Sequence, residues 1–214
     1  MLVLGIDTTE KLVNIALTEN NKVLSSISDL NIKTENLILV LDKIYNENNK
    51  NVKQTNLIAV IIGPGGYTSS RSGIVLAKTI SQLLNINIIG FNKIELIIKT
   101  YKSNSIVSPV IDIKRNEIYT CIAKKLNSFQ IDYLIKPCVL EINEYIELIN
   151  NFKYETIIIN QTNKELNFNN NLVILDNNFI LKPEYINFQA VEEFKMGLKT
   201  TYKDINPFYI REAI

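Results

Sequence analysis

The chain reads as an α/β protein of two lobes, each built as three strands and a helix followed by alternating strands and helices. Three observations predict this. Three short strand-like runs open the chain, and three more follow a polar break at 101–106. Each trio precedes amphipathic stretches that alternate with apolar runs. Two of those runs, LIAVIIG at 57–63 and INIIGF at 86–91, are near-continuously apolar, as strands buried on both faces are. The lobes are placed at 1–103 and 104–214, the second less complete.

In order, strands are expected at 2–7, 13–19 and 22–28, joined by turns at Glu10-Lys11 and Asn20-Asn21. Three short strands with such turns form an antiparallel meander. A helix spans 34–47, with Thr34 as its N-cap. Strand 57–63, a glycine-rich turn, helix 70–84, strand 86–91 and helix 92–101 complete the first half. The second half has strands at 106–114, 117–125 and 129–140, a helix at 143–152, strands at 155–160 and 172–176, and a last helix at 187–199. The Asn-rich stretches 46–51 and 167–171 read as solvated turns.

Composition narrows the chemistry. The 214 residues carry 23 Lys+Arg and 22 Asp+Glu, a net charge of +1. No basic run forms a patch, so the chain should not grip nucleic acid strongly by itself. No apolar stretch reaches the roughly 18 residues of a membrane span, and MLVLGIDTTE lacks the marks of a signal peptide. Two cysteines, Cys121 and Cys138, fit a reducing compartment better than a disulfide framework. A cytoplasmic protein is expected. There is no histidine, which removes every His-based triad and every His metal site.

Two carboxylates end first strands. Asp7 is followed by Thr8 and Thr9, and Asp112 lies at the matching place in VIDIKR. Each suits either a metal–phosphate group or the closing of a tight turn. The run GPGGYTSSRSG at 63–73 is the strongest local signal. Gly63 and Gly65 permit unusual backbone conformations and Pro64 stiffens the turn. The loop leaves a buried strand and enters a helix, a geometry that suits an anion or a purely structural turn. It is not a P-loop, because no Lys precedes its Ser/Thr. Arg71 opposes the helix dipole, so it is expected to meet a carboxylate within the fold or a phosphate.

Five segments together resemble the TsaB family, formerly YeaZ: LGIDTTEKLVNIAL, KTENLILVLDKI, LIAVIIGPGGYTSSRSGIVLAKTISQLLNINIIGFNKIELI, VIDIKRNEIYTCI and PFYIRE. The resemblance is strong over about 1–125 and thin from there to PFYIRE. It implies the actin-like group with two ribonuclease-H-like lobes. It also implies a non-catalytic subunit that pairs with a related catalytic subunit, TsaD. The pair makes N6-threonylcarbamoyladenosine next to the anticodon of ANN-reading tRNAs. An ATPase, TsaE, acts on the heterodimer, self-association of the chain alone is open, and tRNA is met only through the complex. Thr68, Arg71 and Gly73 match the family loop. Lys33-Thr34-Glu35 stands where the family has His-Ser-Glu, and Ser69 replaces a glycine, so a positive φ there would cost about 1 kcal/mol or more.

Actin-like enzymes carry glycine-containing phosphate loops after the first Asp of each half. Residues 7–11 and 112–116 contain no glycine, so the backbone cannot wrap a phosphate closely. No cofactor of its own and no metal are expected. The same gap speaks against the rival reading, a small-molecule kinase or acyl-phosphate transferase of this superfamily. The missing histidine speaks against an M22-type peptidase.

The two N-terminal helices look too apolar for one contact. Leu37, Ile38, Val40, Leu41, Ile44 and Tyr45 fill an arc of about 160°, and Gly73, Ile74, Leu76, Ala77, Ile80, Leu83 and Leu84 one of about 180°, where covering a sheet takes about 100°. Leu39 and Val75 fall outside the arcs. Gly73, Ala77 and Ser81 form a row of small residues. The partner interface is therefore placed on Leu37, Leu41, Ile44, Gly73, Leu76, Ala77, Ile80 and Leu83; the competing reading buries the arcs within their own lobe.

Overall fold

The computed structural model describes residues 1–102, 105–113, 115–127 and 129–210. The elements run β1 (Leu2–Asp7), β2 (Val13–Glu19), β3 (Lys22–Asp29), α1 (Leu37–Glu47), β4 (Thr55–Gly63), α2 (Tyr67–Leu84), β5 (Asn87–Asn92) and α3 (Lys93–Thr100). They continue with β6 (Ile106–Asp112), β7 (Glu117–Lys125), β8 (Ile131–Glu141), α4 (Ile142–Asn150), β9 (Thr156–Gln161), β10 (Val173–Asp176) and α5 (Pro183–Lys195). The described residues form two five-stranded sheets, β3-β2-β1-β4-β5 and β8-β7-β6-β9-β10. In each, the first three strands pair antiparallel and the last two join parallel to the first. The two sheets thus share one strand order, that of a ribonuclease-H-like lobe.

Local chemistry explains the joints. Asn20 and Asn21 both have positive φ (51° and 62°), and Glu19 pairs with Lys22 across them. That is a two-residue hairpin turn needing two left-handed residues, which Asn tolerates. Arg115 and Asn116, with φ of 55° and 62°, sit likewise between β6 and β7, and Asn85 closes α2 in the left-handed region.

The helix starts differ from expectation. Thr34 does not cap α1: residues 34–36 form a 3₁₀ turn, and α1 begins at Leu37 with no side-chain cap. α2 begins at Tyr67 rather than 70, because Gly66 is its N-cap. α5 begins at Pro183, a residue suited to the first turn by its fixed φ.

The division into compact units also differs. One unit holds Met1–Leu96 together with the chain from Lys182 onward; the other is Ile97–Leu181. The boundary expected at 103/104 lies outside the described residues. The C-terminal helix returns to the first sheet for a physical reason. Leu2, Leu4 and Ile6 point to the face shared with α1 and α2, which leaves Val3 and Gly5 on the other. α5 packs there. Buried Asn187 donates to the carbonyls of Val3 and Ala16 (3.1 Å each) and to Thr18 Oγ1 (3.2 Å). A side chain at Gly5 would collide with the Asn187 amide. The first sheet is therefore covered on both faces.

The second unit has its own core of Val110, Ile118, Ile122, Tyr145, Ile149, Ile158 and Leu166. Cys121 and Cys138 form no disulfide with each other. Among the described residues no helix is long and apolar enough to cross a membrane.

Candidate functional site

β1 ends at Asp7, whose carboxylate is buried. Its Oδ1 accepts from the Thr9 backbone N–H (2.8 Å) and the Thr9 hydroxyl (2.6 Å). Its Oδ2 lies 3.5 Å from the Nζ of Lys93, which donates to Glu10 Oε1 at 2.6 Å. The Lys93 and Asp7 side chains are 5% and 3% exposed. Burial by itself pushes the Lys93 ammonium down. The negative charges of Asp7 and Glu10 and their hydrogen bonds outweigh it and hold the ammonium above its ordinary value. Sequence reading missed Lys93. Its one signal was a lysine directly after an apolar strand, at the carboxyl edge where β1 also ends.

The glycine-rich run is packed against the same corner. The Gly66 N–H donates to the Thr9 carbonyl (2.7 Å), and the Thr8 hydroxyl donates to the Ser69 carbonyl (2.6 Å). Gly73 is glycine because Thr8 sits against it, and a Cβ would overlap the Thr8 hydroxyl. Gly63 has φ +136°, and a Cβ there would overlap the Phe208 carbonyl; Phe208 N–H in turn donates to Ile62 O at 2.8 Å. Pro64 follows through a cis peptide, and Gly65 lies against Thr9. Ser69 lies inside α2, so no positive φ is required and its loss of glycine carries no strain.

Among the described residues Arg71 meets tyrosines rather than a carboxylate. Its guanidinium lies 3.8 Å from the Tyr67 ring centroid, and its Nε donates to the Tyr209 hydroxyl at 2.5 Å. The two tyrosine rings stack at 5.2 Å. Tyr209 belongs to the PFYIRE segment, of which Arg211 and Glu212 lie outside the described residues. The loop, the first helix turn and the C-terminal segment are thus tied together.

Two grooves flank the Arg71–Val75 ridge. One, about 350 Å³, is lined by Tyr67, Thr68, Arg71, Ser72 and Val75. The other, about 680 Å³, adds Lys78, Tyr202, Lys203 and Pro207. Neither lining includes an acidic residue.

In the second unit Asp112 also ends the first strand. It lies 3.2 Å from Lys164 Nζ, with side chains 41% and 31% exposed. The Asn116 carbonyl accepts the first N–H of α4. Lys114, in the same loop, lies outside the described residues.

The proposed interface residues require correction. Leu37, Leu41, Ile44 and Ala77 are buried in the first unit's own core, with Ile74 and Ile80. Gly73 faces Thr8, and Ser81 donates to Ile86 O. Leu76 is half-buried. The arcs are wide because each helix packs against the sheet and also against flanking segments, including Tyr202 and Ile205 from the C-terminal chain. The exposed apolar side chains are others: Ile38 and Leu39 on α1, Val75 (60%) and Leu83 (77%) on α2. Of the eight named residues, Leu83 alone is fully open.

Two sheets of one strand order, each first strand ending in Asp, define an actin-like protein of ribonuclease-H-like lobes. Known proteins agree. The family model described as "TsaD: tRNA N6-adenosine threonylcarbamoyltransferase" matches residues 33–191. The chain is 28% identical over 123 residues to the Bacillus subtilis "tRNA threonylcarbamoyladenosine biosynthesis protein TsaB", covering 56% of this chain and 54% of that one. It is 32% identical over 112 residues to a Thermodesulfovibrio yellowstonii "tRNA N6-adenosine threonylcarbamoyltransferase", covering 44% of this chain and 34% of that one. The matched stretches thus span about half or less of these curated relatives. YeaZ from Pseudomonas aeruginosa has the same fold, with a TM-score of 0.74 at 14% identity over 97% of this chain and 100% of that one. A second P. aeruginosa structure, described as similar to peptidase YEAZ, gives 0.75 at 14% identity over 98% and 99%. The chain belongs to the family this model describes.

Proposed function

We propose that the chain is a non-catalytic partner subunit in the synthesis of N6-threonylcarbamoyladenosine next to the anticodon of ANN-reading tRNAs. It pairs in the cytoplasm with a TsaD-like catalytic subunit, and a TsaE-like ATPase acts on that heterodimer. The chain meets tRNA only within the complex. The observation that carries this reading is the outer stripe of α2. Arg71, Val75, Thr79, Gln82 and Leu83 are all exposed there, at the spacing of one helix face. Large apolar side chains beside a cation stacked on tyrosine suit a protein partner. The near-balanced charge of the chain argues against tRNA binding by this subunit alone.

The test is co-purification with the TsaD-like subunit. The double variant Val75→Glu/Leu83→Glu should keep the wild-type melt yet lose association by about a hundredfold, the cost of a few kcal/mol at a central contact. Ala77→Glu should instead abolish the cooperative melt, because its carboxylate has no partner in the core. A double variant that pairs normally, or a chain that modifies tRNA alone, would overturn the reading.

A further inference from the structure

The actin-like class associates the end of each first strand with nucleotide phosphate, and so with the divalent cation that accompanies it. The residues at Asp7 do not fit that group. Asp7 Oδ1 already accepts two bonds from Thr9. The Lys93 ammonium lies 2.6 Å from Glu10 Oε1 and 3.5 Å from Asp7 Oδ2. The Gly66 N–H, which would face a phosphate, is bonded to the Thr9 carbonyl. Thr8 fills the space beside Gly73.

A divalent cation ligated by both carboxylates would sit where the ammonium is, and the two positive charges would repel within a few ångströms. The distance from Nζ to Glu10 is close to a calcium–oxygen bond of about 2.3–2.6 Å. Asp7 Oδ2 lies farther off, at 3.5 Å; the charge sign is that of a metal, and the atom is nitrogen on a tether.

We infer that Lys93 is the resident cation of the Asp7–Glu10 site, taking the place of a divalent ion. The corner is therefore closed to divalent cations and to the phosphates they bring. Removing the ammonium turns the same two carboxylates into a divalent-cation site. Asp112 and Lys164 repeat the pairing in the second unit at 3.2 Å, so each first-strand carboxylate has a lysine of its own. This inference concerns what the corner takes, and is independent of which protein the α2 stripe meets.

The experiment is a calorimetric titration of the full chain with CaCl2, run beside thermal melts at matched ionic strength. The wild type should show no saturable uptake. Lys93→Ser should melt lower than wild type, bind one Ca²⁺ per chain, and regain about 5 °C or more at saturating Ca²⁺. The double variant Asp7→Asn/Lys93→Ser should bind none. Three outcomes would overturn the inference. They are wild-type Ca²⁺ uptake that Asp7→Asn abolishes, a folded Lys93→Ser chain that binds no Ca²⁺, and a Lys93→Ser chain that stays unfolded with Ca²⁺ as without it. Uptake by Lys93→Ser together with failed pairing of wild type and TsaD-like subunit would sustain this inference and sink the proposed function alone.

Discussion

The two units share a strand order and a first strand ending in Asp, yet treat that carboxylate differently. Asp7 is buried, held by Thr9 and faced by a buried lysine; Asp112 is half-open beside a half-open lysine. The first sheet carries helices on both faces, and its carboxyl corner is packed by Thr8, Gly73 and the loop at 63–66. The same residue type at the same topological place is therefore a core charge in one unit and a surface charge in the other. A carboxylate's importance follows from what covers it.

The largest expected effect is on the buried side of this comparison. Lys93→Met should cost about 3–5 kcal/mol in urea unfolding, because it strands a buried Asp7. A loss below about 1 kcal/mol would mean that Asp7 is solvated and the contrast between units false. Gly73→Val is next, at about 1–3 kcal/mol, from the clash with Thr8. If it left the melt unchanged, the close packing of α2 on the β1 loop would be wrong.

Alkaline pH sharpens the contrast further. Burial, partly offset by the hydrogen bond to Thr55, pushes Tyr45 from 10.0 up to about 12. The unfolded tyrosine loses its proton near pH 10 while the folded one keeps it. Its contribution is thus complete below pH 10 and is lost as pH rises to about 12. Tyr145, bonded to Ser108 in the second core, is pushed up in the same sense by its burial. Lys93 is held above 10.5, so its stabilisation is also present below that pH and fades above it. Stability should fall from pH 10 upward in both units. Tyr45→Phe should flatten the decline, and a flat profile in the wild type would contradict the burial of these groups. The smallest effect belongs to Lys164→Met, at about 0–1 kcal/mol, as for an exposed ion pair. A cost matching that of Lys93→Met would erase the difference between the units.

Element order and element type were legible from residues, because periodicity and apolar runs report burial locally. The hairpin at Asn20-Asn21 has its cause within a few residues, whereas the glycines at 63, 65 and 73 answer to Phe208, Thr9 and Thr8, far away in sequence. The width of the helical arcs was legible too, but not its meaning. Ala77 and Leu41 look the same in sequence whether they face a sheet or a partner, and only the packed positions of the strands and the C-terminal chain assign them inward. Val75 and Leu39, outside the arcs by angle, are open, but so are Ile38 and Leu83 within them.

What the sequence by itself determined is thus the two-lobed α/β class, the first-strand carboxylates and the lack of glycine beside them. Tertiary structure alone decided three further matters: that α5 returns to cover β1 and β2, that Arg71 meets Tyr209, and that Lys93 meets Asp7. Those pairs are 138 and 86 residues apart, and no local pattern records such a meeting. A charge's partner is set by where the chain brings two segments together, and that depends on the packing of every element between them.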